Sequence, residues 1–307
     1  MGEISTMKNK ISITIGIPAY NEEDNIGKLL DSIISQKGSR YNIEKIIVAC
    51  DGCTDKTAEI VEKYIDKHNN IYLINDGLRL GQAGRLNEFY KINKSDIFIT
   101  FDADTVLGHR YVVNEIAECF EDKKVGLVGG ADTPASAKSF VQKIANIWVD
   151  AWYEMRSDYN NGVTVHNHKG CVSAGKKEFL KKITIKNNVV GNDDFLYFSA
   201  KRMGYKFKFA RKTIVYYKTP SGFEDYFQQT TRFLSAKHKV ASYFGDWVYA
   251  EYKLPVLRKI RGLMIEFLKE PVFLPIAVLF QVLLRIIKYK YQEDFKNGLW
   301  IRIASTK

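Results

Sequence analysis

The chain is poor in the residues that staple or clip small folds. It holds four cysteines, six prolines and five histidines in 307 residues. Four cysteines are too few for a disulfide framework at this length, so a reducing compartment is expected. Cys50 and Cys53 form a C-x-x-C, but no second pair completes a zinc site and no thioredoxin-like unit surrounds them. A long apolar run is also missing. The most apolar stretch, Val272 to Ile287, contains Gln281 and Arg285 and falls short of the roughly 20 residues a spanning helix needs. The N-terminal residues show no signal-peptide pattern; Ile11 to Ile17 reads as a strand instead. No G-x-G-x-x-G follows that strand and no P-loop occurs, which argues against a dinucleotide-binding or Walker-type site. There is no internal repeat or low-complexity segment. A composition of 46% hydrophobic and 26% charged residues excludes a disordered or collagen-like chain.

What is abundant is charge, and it is unevenly placed. The net charge is +11, yet residues 1–168 carry 19 basic and 24 acidic side chains, whereas residues 169–307 carry 27 and 11. A uniformly basic protein would suggest nucleic acid; an acidic part followed by a basic part suggests two tasks. No nucleic-acid module is recognisable, so no nucleic acid is expected as partner. Arg258, Lys259 and Arg261 precede the apolar stretch, and Lys288 and Lys290 follow it. That pattern suits a segment lying on, or dipping into, an anionic leaflet; a buried core helix is the plainer alternative.

Hydrophobic periodicity gives the architecture. Ile11–Ile17, Ile43–Ala49, Ile71–Ile74 and Asp96–Phe101 read as strands. Asn25–Ser35, Thr57–Ile65 and Leu86–Ile92 have helical spacing. Strands and helices alternating at this interval predict βαβ units and a mixed, mostly parallel α/β sheet flanked by helices. In such sheets ligands bind beyond the carboxyl ends of the strands. Three acid-rich loops follow three of these strands: Asn21-Glu22-Glu23, Asp51 with Asp55, and Asp102-Ala103-Asp104. Two carboxylates two residues apart at a strand end suit a hard divalent cation that keeps places open for phosphate oxygens. Charge set against an apolar strand must be paired or metal-bound.

These pieces, in their order, resemble a family 2 glycosyltransferase of the membrane-associated inverting type, with a GT-A fold. The matching residues are Ile17-Pro18-Ala19-Tyr20-Asn21-Glu22-Glu23, Asp51-Gly52-Cys53-Thr54-Asp55, Gly81 to Asn87, Phe101-Asp102-Ala103-Asp104, Gly191-Asn192-Asp193-Asp194, Gly204-Tyr205, and Gln229-Thr230-Thr231-Arg232-Phe233. The resemblance covers about residues 11–235. It implies that Pro18, Ala19, Tyr20 and Glu22 line the nucleotide, and that Asp51 accepts a hydrogen bond from the base imide, which suits uracil. It implies that Gly81 and its neighbours pass near the diphosphate. Gln82 stands where many relatives have Lys, so Arg85 or Arg79 is expected to supply charge there. Asp102 is implied at the ribose or metal, and Asp104 as a ligand of Mg²⁺ or Mn²⁺.

Asp193 takes the place of the family's catalytic Asp, with Asn192 where relatives have Glu. An inverting transfer needs one general base to deprotonate the acceptor hydroxyl; Asp193 is the candidate and Asp194 the fallback. Both also suit the cap of a helix beginning at Phe195. Gln229, Arg232 and Phe233 resemble a Gln-x-x-Arg-Trp motif beside acceptor and diphosphate, with Phe233 replacing Trp. His166 and His168 could chelate, but an exposed pair without a third ligand is the simpler expectation. Trp148 and Trp152 share a helix face for which core packing is expected.

The expected activity is transfer of a hexose or N-acetylhexosamine from a UDP-sugar to a lipid, lipid-linked or polysaccharide acceptor at the cytoplasmic face of the cell membrane, with a channel or flippase as possible partner. A GDP-mannose-dependent polyprenyl-phosphate transferase is the near alternative, and a membrane-docked sugar-nucleotide-binding scaffold the non-enzymatic one. The expected division is a GT-A catalytic domain over residues 1–220, with donor binding in 11–130 and acceptor and base in 131–220. An amphipathic membrane-associating region over 221–307 follows.

Overall fold

A computed structural model describes residues 10–186, 189 and 191–287. Lys288 and Lys290, with the rest of the expected C-terminal region beyond Ile287, lie outside them. The first part runs β1 (Ile11–Ala19), α1 (Ile26–Ile34), β2 (Tyr41–Cys50), α2 (Thr57–Ile65), β3 (Ile71–Ile74), α3 (Gly81–Ile92) and β4 (Ile97–Phe101). Then come β5 (Thr105–Leu107), α4 (Val112–Cys119), β6 (Val125–Pro134), α5 (Phe140–Arg156), β7 (Val172–Lys176) and α6 (Lys177–Leu180). The rest is α7 (Asn192–Arg202), β8 (Lys206–Tyr217), α8 (Phe223–Phe244), α9 (Val248–Glu251), α10 (Val256–Lys269) and α11 (Phe273–Ile287).

The eight strands form one sheet in the order β3-β2-β1-β4-β7-β6-β8-β5. The β3-β2-β1-β4 half is parallel, as the βαβ spacing predicts; β4–β7, β7–β6 and β8–β5 are antiparallel. Alternation sets the two faces. Ile13, Ile15 and Ile17 of β1 and Ile97, Ile99 and Phe101 of β4 point toward α1, α2 and α4. Phe98 points the other way, into a second core with Ala83, Leu86, Phe89 and Tyr90 of α3 and with Leu196 and Phe198 of α7. Pro18 has no ladder N–H to give, and it sits past the last β1–β4 pair, Gly16 with Thr100, where β1 pairs only with β2.

Two boundaries differ from the periodicity. α3 begins at Gly81 rather than Leu86, because Gly81 and Gly84 dilute a pattern that Ala83 and Leu86 nevertheless bury on the sheet. α7 begins at Asn192 rather than Phe195, so Asp193 and Asp194 lie within its first turn instead of capping it. There the two carboxylates still favour the positive end of the helix dipole.

Gly16 shows how closely the second core approaches β1. A Cβ there would lie 2.3 Å from Phe98 Cζ and 2.9 Å from Phe89 Cδ2. Both rings are fully buried and lie 5.6 Å apart between centroids, so neither can move aside without opening the core. Gly16→Ala is expected to lower the free energy of unfolding by about 1–3 kcal/mol, read from urea denaturation midpoints.

Candidate active site

The carboxyl ends of β1, β2 and β4 bring the three acid-rich loops together. The first two are tied directly: Thr54 N donates to Asn21 Oδ1 at 2.8 Å and Glu22 N to Thr57 Oγ1 at 2.7 Å. Cys53 Sγ contacts Ala19 O, and all four cysteines are free. Tyr20 lies beneath Arg79, whose Cζ stands 3.2 Å from the ring centroid. Glu22 Oε2 accepts from Asn25 Nδ2, and Lys218 Nζ donates to Asn25 Oδ1, each at 3.0 Å. Lys218 also faces Asp104.

Arg85, expected with Arg79 as a source of charge for the diphosphate, is turned inward and its donors are already committed. It is fully buried. Its Nε donates to Asp51 Oδ1 at 3.1 Å, its Nη1 to Asp76 and Glu88, and its Nη2 to Asp76 Oδ1, Cys50 O and Leu78 O. Every donor is used, so Arg85 holds the floor of the site. Asp51 is likewise turned inward. Its carboxylate accepts from Leu80 N at 2.7 Å and from Gly81 N at 3.0 Å, and it has no exposed surface. The base contact expected of Asp51 therefore requires the Leu80–Gly81 turn to move.

The reactive end of the site centres on Gly170. A Cβ there would stand 3.0 Å from Asp102 Oδ2 and 3.4 Å from Asp193 Oδ1, so carboxylates 91 positions apart reach one small space that glycine leaves open. Desolvation, with Asp104 and Asp193 nearby, pushes Asp102 up to about 8, and burial raises Asp104 as well. Arg232 of α8 faces Asp102, Asp193 and Asp104, and burial lowers its pKa. Gln229 lies one turn before it on the same helix. Phe233 is exposed, with Lys169 Nζ 5.6 Å from its ring centroid.

Asp193 and Asp194 have different surroundings. Asp193 borders the space at Gly170. Asp194 is committed elsewhere: Tyr252 Oη donates to its Oδ2 at 2.6 Å, and burial pushes its carboxyl up to about 7.

The histidines are neither exposed nor paired, correcting the expectation. His168 is 1% exposed, with Nδ1 2.7 Å from Asp193 O and Nε2 2.8 Å from Ser173 Oγ. His166 sits between Trp152 and Tyr252. Burial lowers the pKa of both, so they are neutral supports. Their segment is braced by fully buried Arg156, which donates to Asp132 Oδ1 at 2.5 Å and to Asn167 Oδ1 at 2.7 Å. Sequence reasoning missed Gly170, Lys218, Asp132 and Arg156. The only available signal was a lone arginine closing an apolar helical stretch.

A family model, Glycosyl transferase family 2, matches residues 14–184. The chain belongs to glycosyl transferase family 2. Among curated relatives, it is 27% identical over 154 residues to dolichyl-phosphate beta-glucosyltransferase ALG5D of Trichomonas vaginalis, covering 46% of this chain and 47% of that protein. It is 30% identical over 135 residues to poly-beta-1,6-N-acetyl-D-glucosamine synthase of Staphylococcus aureus, covering 44% and 32%. The chain thus spans half or less of the length of these relatives. The fold is shared with the mannosyltransferase PcManGT of Pyrobaculum calidifontis, solved with GDP-Man and Mn²⁺ (TM-score 0.61, 19% identity, 90% of this chain and 76% of that one). It is shared too with S. aureus TarS 1–349 in complex with UDP-GlcNAc (TM-score 0.53, 16% identity, 95% and 93%). The GT-A architecture expected of the family 2 chain is present.

Two predictions follow from the buried charges of this enzyme. Arg85→Met leaves Asp51 buried without its cation and is expected to cost about 3–5 kcal/mol in chemical denaturation. Asp194 holds its proton in the folded state to about pH 7, whereas the unfolded chain releases it near the ordinary carboxylate value, about 3.9. The folded state binds more protons in between, so this contribution to stability is full below the unfolded pKa and declines as pH rises through 7. Relative to Asp194→Asn, the wild-type protein is expected to lose stability between pH 4 and pH 8, measured by urea unfolding across that range.

Proposed function

We propose that this glycosyltransferase moves a hexose or N-acetylhexosamine from a UDP-sugar, with inversion at the anomeric carbon, to a lipid, lipid-linked or polysaccharide acceptor at a cytoplasmic membrane face. The observation that carries this reading is the meeting of Asp102 and Asp193 at Gly170, opposite Arg232. Residues 11–130 serve the donor, 131–220 supply the base and acceptor side, and the region from 221 onward faces the membrane.

The donor base lies against Tyr20 and the Arg79 side chain over it, along the loop Pro18 to Glu22. Arg232 and Lys218 balance the diphosphate. Among the described residues no three His, Cys, Asp or Glu side chains form a cage for a metal ion. A cation that also takes phosphate oxygens needs only one or two carboxylates, however. Asp102 and Asp104 fit that role: both are hard oxygen donors whose desolvation disfavours bare negative charge. Mg²⁺ or Mn²⁺ held there would stabilise charge developing on the departing nucleoside diphosphate. Asp193 accepts the acceptor's hydroxyl proton as that oxygen bonds to C1 and the diphosphate oxygen leaves. Asp194, engaged by Tyr252, is the weaker candidate. Gln229 and Phe233 line the acceptor side, and Phe233 offers an exposed ring on which a sugar can stack. A GDP-mannose donor with a polyprenyl-phosphate acceptor is the second reading; the fold shared with a mannosyltransferase solved with GDP-Man and Mn²⁺ supports it.

The membrane reading rests on α10. Its inner residues Gly262 and Glu266 are buried, whereas Leu257 is 80% and Leu268 83% exposed, with Ile260, Met264 and Phe267 between them. This helix carries its apolar side outward. α11 adds exposed Leu279, Leu283 and Ile286, while Leu274, Ala277, Gln281 and Leu284 pack inward. No helix among the described residues is long and apolar enough to cross a membrane. Of the basic residues expected to meet headgroups, Arg258 and Arg261 pair with Asp158. Lys259, between them, is exposed.

Asp193→Asn is expected to retain UDP binding, measured by calorimetry. Transfer from a UDP-sugar panel to membrane lipids should fall by about 10²–10⁴-fold. Equal turnover in the mutant would remove the assigned base. The triple variant Leu257→Asp, Met264→Asp, Leu268→Asp is expected to stop sedimenting with phosphatidylglycerol vesicles while keeping its melting temperature. Unchanged sedimentation would remove the docking surface.

A further inference from the structure

We infer that Gln82 and Asn192 form an uncharged relay through which helix α7, which carries the base, positions Asp102 for the donor and its metal ion. Gln82 Nε2 donates to Asp102 Oδ1 at 3.0 Å, and Asn192 Nδ2 donates to Gln82 Oε1 at 3.0 Å. The direction is set from one end. A carboxylate that holds a cation only accepts, so with the ion in place Gln82 presents its amide N–H to Asp102 and its oxygen to Asn192, and Asn192 presents its own N–H. The consequence is visible at the far end. Asn192 Oδ1 is left without a hydrogen-bond partner although the residue is only 8% exposed. It borders a cavity of about 10 Å³ shared with Tyr90, Thr100, Ser173 and Asp193, roughly the space of a single water.

The amide orientation of Asn192 follows from its bond to Gln82. The link adds a polar contact between two helices that also share the second core. Gln82 lies in the first turn of α3, and Asn192 opens α7 one residue before Asp193. Amides do this without altering charge. A lysine at 82 would neutralise Asp102, and a glutamate at 192 would set another anion beside Asp193. Gln82 and Asn192 are therefore positioning residues: Asn192 reaches Asp102 only through Gln82.

This rests on the proposed donor and metal site, and calorimetry separates the two. Mn²⁺ is titrated into protein saturated with UDP. Gln82→Ala is expected to weaken Mn²⁺ binding by about tenfold, at the lower end of what partners of metal ligands contribute. Asn192→Ala, which removes no contact to Asp102, is expected to weaken it several-fold. The double variant should bind no more weakly than Gln82→Ala alone. Asn192→Leu, close in volume and without a donor, gives the same reading should Asn192→Ala fail to fold. Unchanged Mn²⁺ affinity in the Asn192 variants, or a double variant equal to the product of the singles, overturns the relay alone. Wild-type protein that binds no Mn²⁺ with UDP overturns the donor and metal site as well, and the relay with it.

Discussion

Taking a carboxylate out of water costs several kcal/mol unless a cation or a set of hydrogen bonds replaces the water, and this structure sets five of them at the edge of an apolar sheet. Two are dealt with permanently. Asp51 meets Arg85 and Asp132 meets Arg156, and neither arginine has exposed surface. Asp102, Asp104 and Asp193 are treated differently. They stand close enough for their charges to interact, with Arg232 brought from α8 to face them. The first three strands and their arginine make the floor; of the remaining carboxylates, Asp102 and Asp104 are the pair proposed for a cation. Asp102 and Asp193 can share one space only because Gly170 has no side chain.

The charge division acquires meaning here. The acidic first part supplies Asp102 and Asp104, and the basic second part supplies Lys218 and Arg232, which face them. The helical region is thus part of the site rather than an appendage. Arg232 arrives on the same chain segment that packs through α5 and α11 beneath the outward-facing apolar side of α10. Joined by packed helices, the proposed catalytic centre and the proposed docking surface suit an acceptor that stays in a membrane.

Much of this was legible in the sequence. The β-branched runs gave β1 to β4 to within a few residues, because strands buried on both faces read as continuous apolar segments. The acidic loops were placed correctly at their ends, because a parallel sheet leaves them nowhere else to go. Arg85 was misplaced for a physical reason: its pattern position says only that it follows the second and third strands. Whether a guanidinium points to solvent or to three carboxylates is decided by packing. Likewise, the surroundings of Asp193 and Asp194 come from distant residues: Gly170 opens beside the first, and Tyr252, 58 residues further on, donates to the second. His166 and His168 looked like a surface pair because the groups around them, Trp152, Tyr252, Ser173 and the Asp193 carbonyl, come from other elements.

The central claim is that Asp102 and Asp104 hold a divalent ion jointly with a nucleoside diphosphate. Calorimetric titration of UDP into the protein, once with Mn²⁺ and once with EDTA, tests it most directly. The account predicts that Mn²⁺ tightens UDP binding by about tenfold or more, within the usual range of coupling between linked sites, and that Asp104→Asn abolishes the gain. Equal UDP affinity in Mn²⁺ and in EDTA would contradict it.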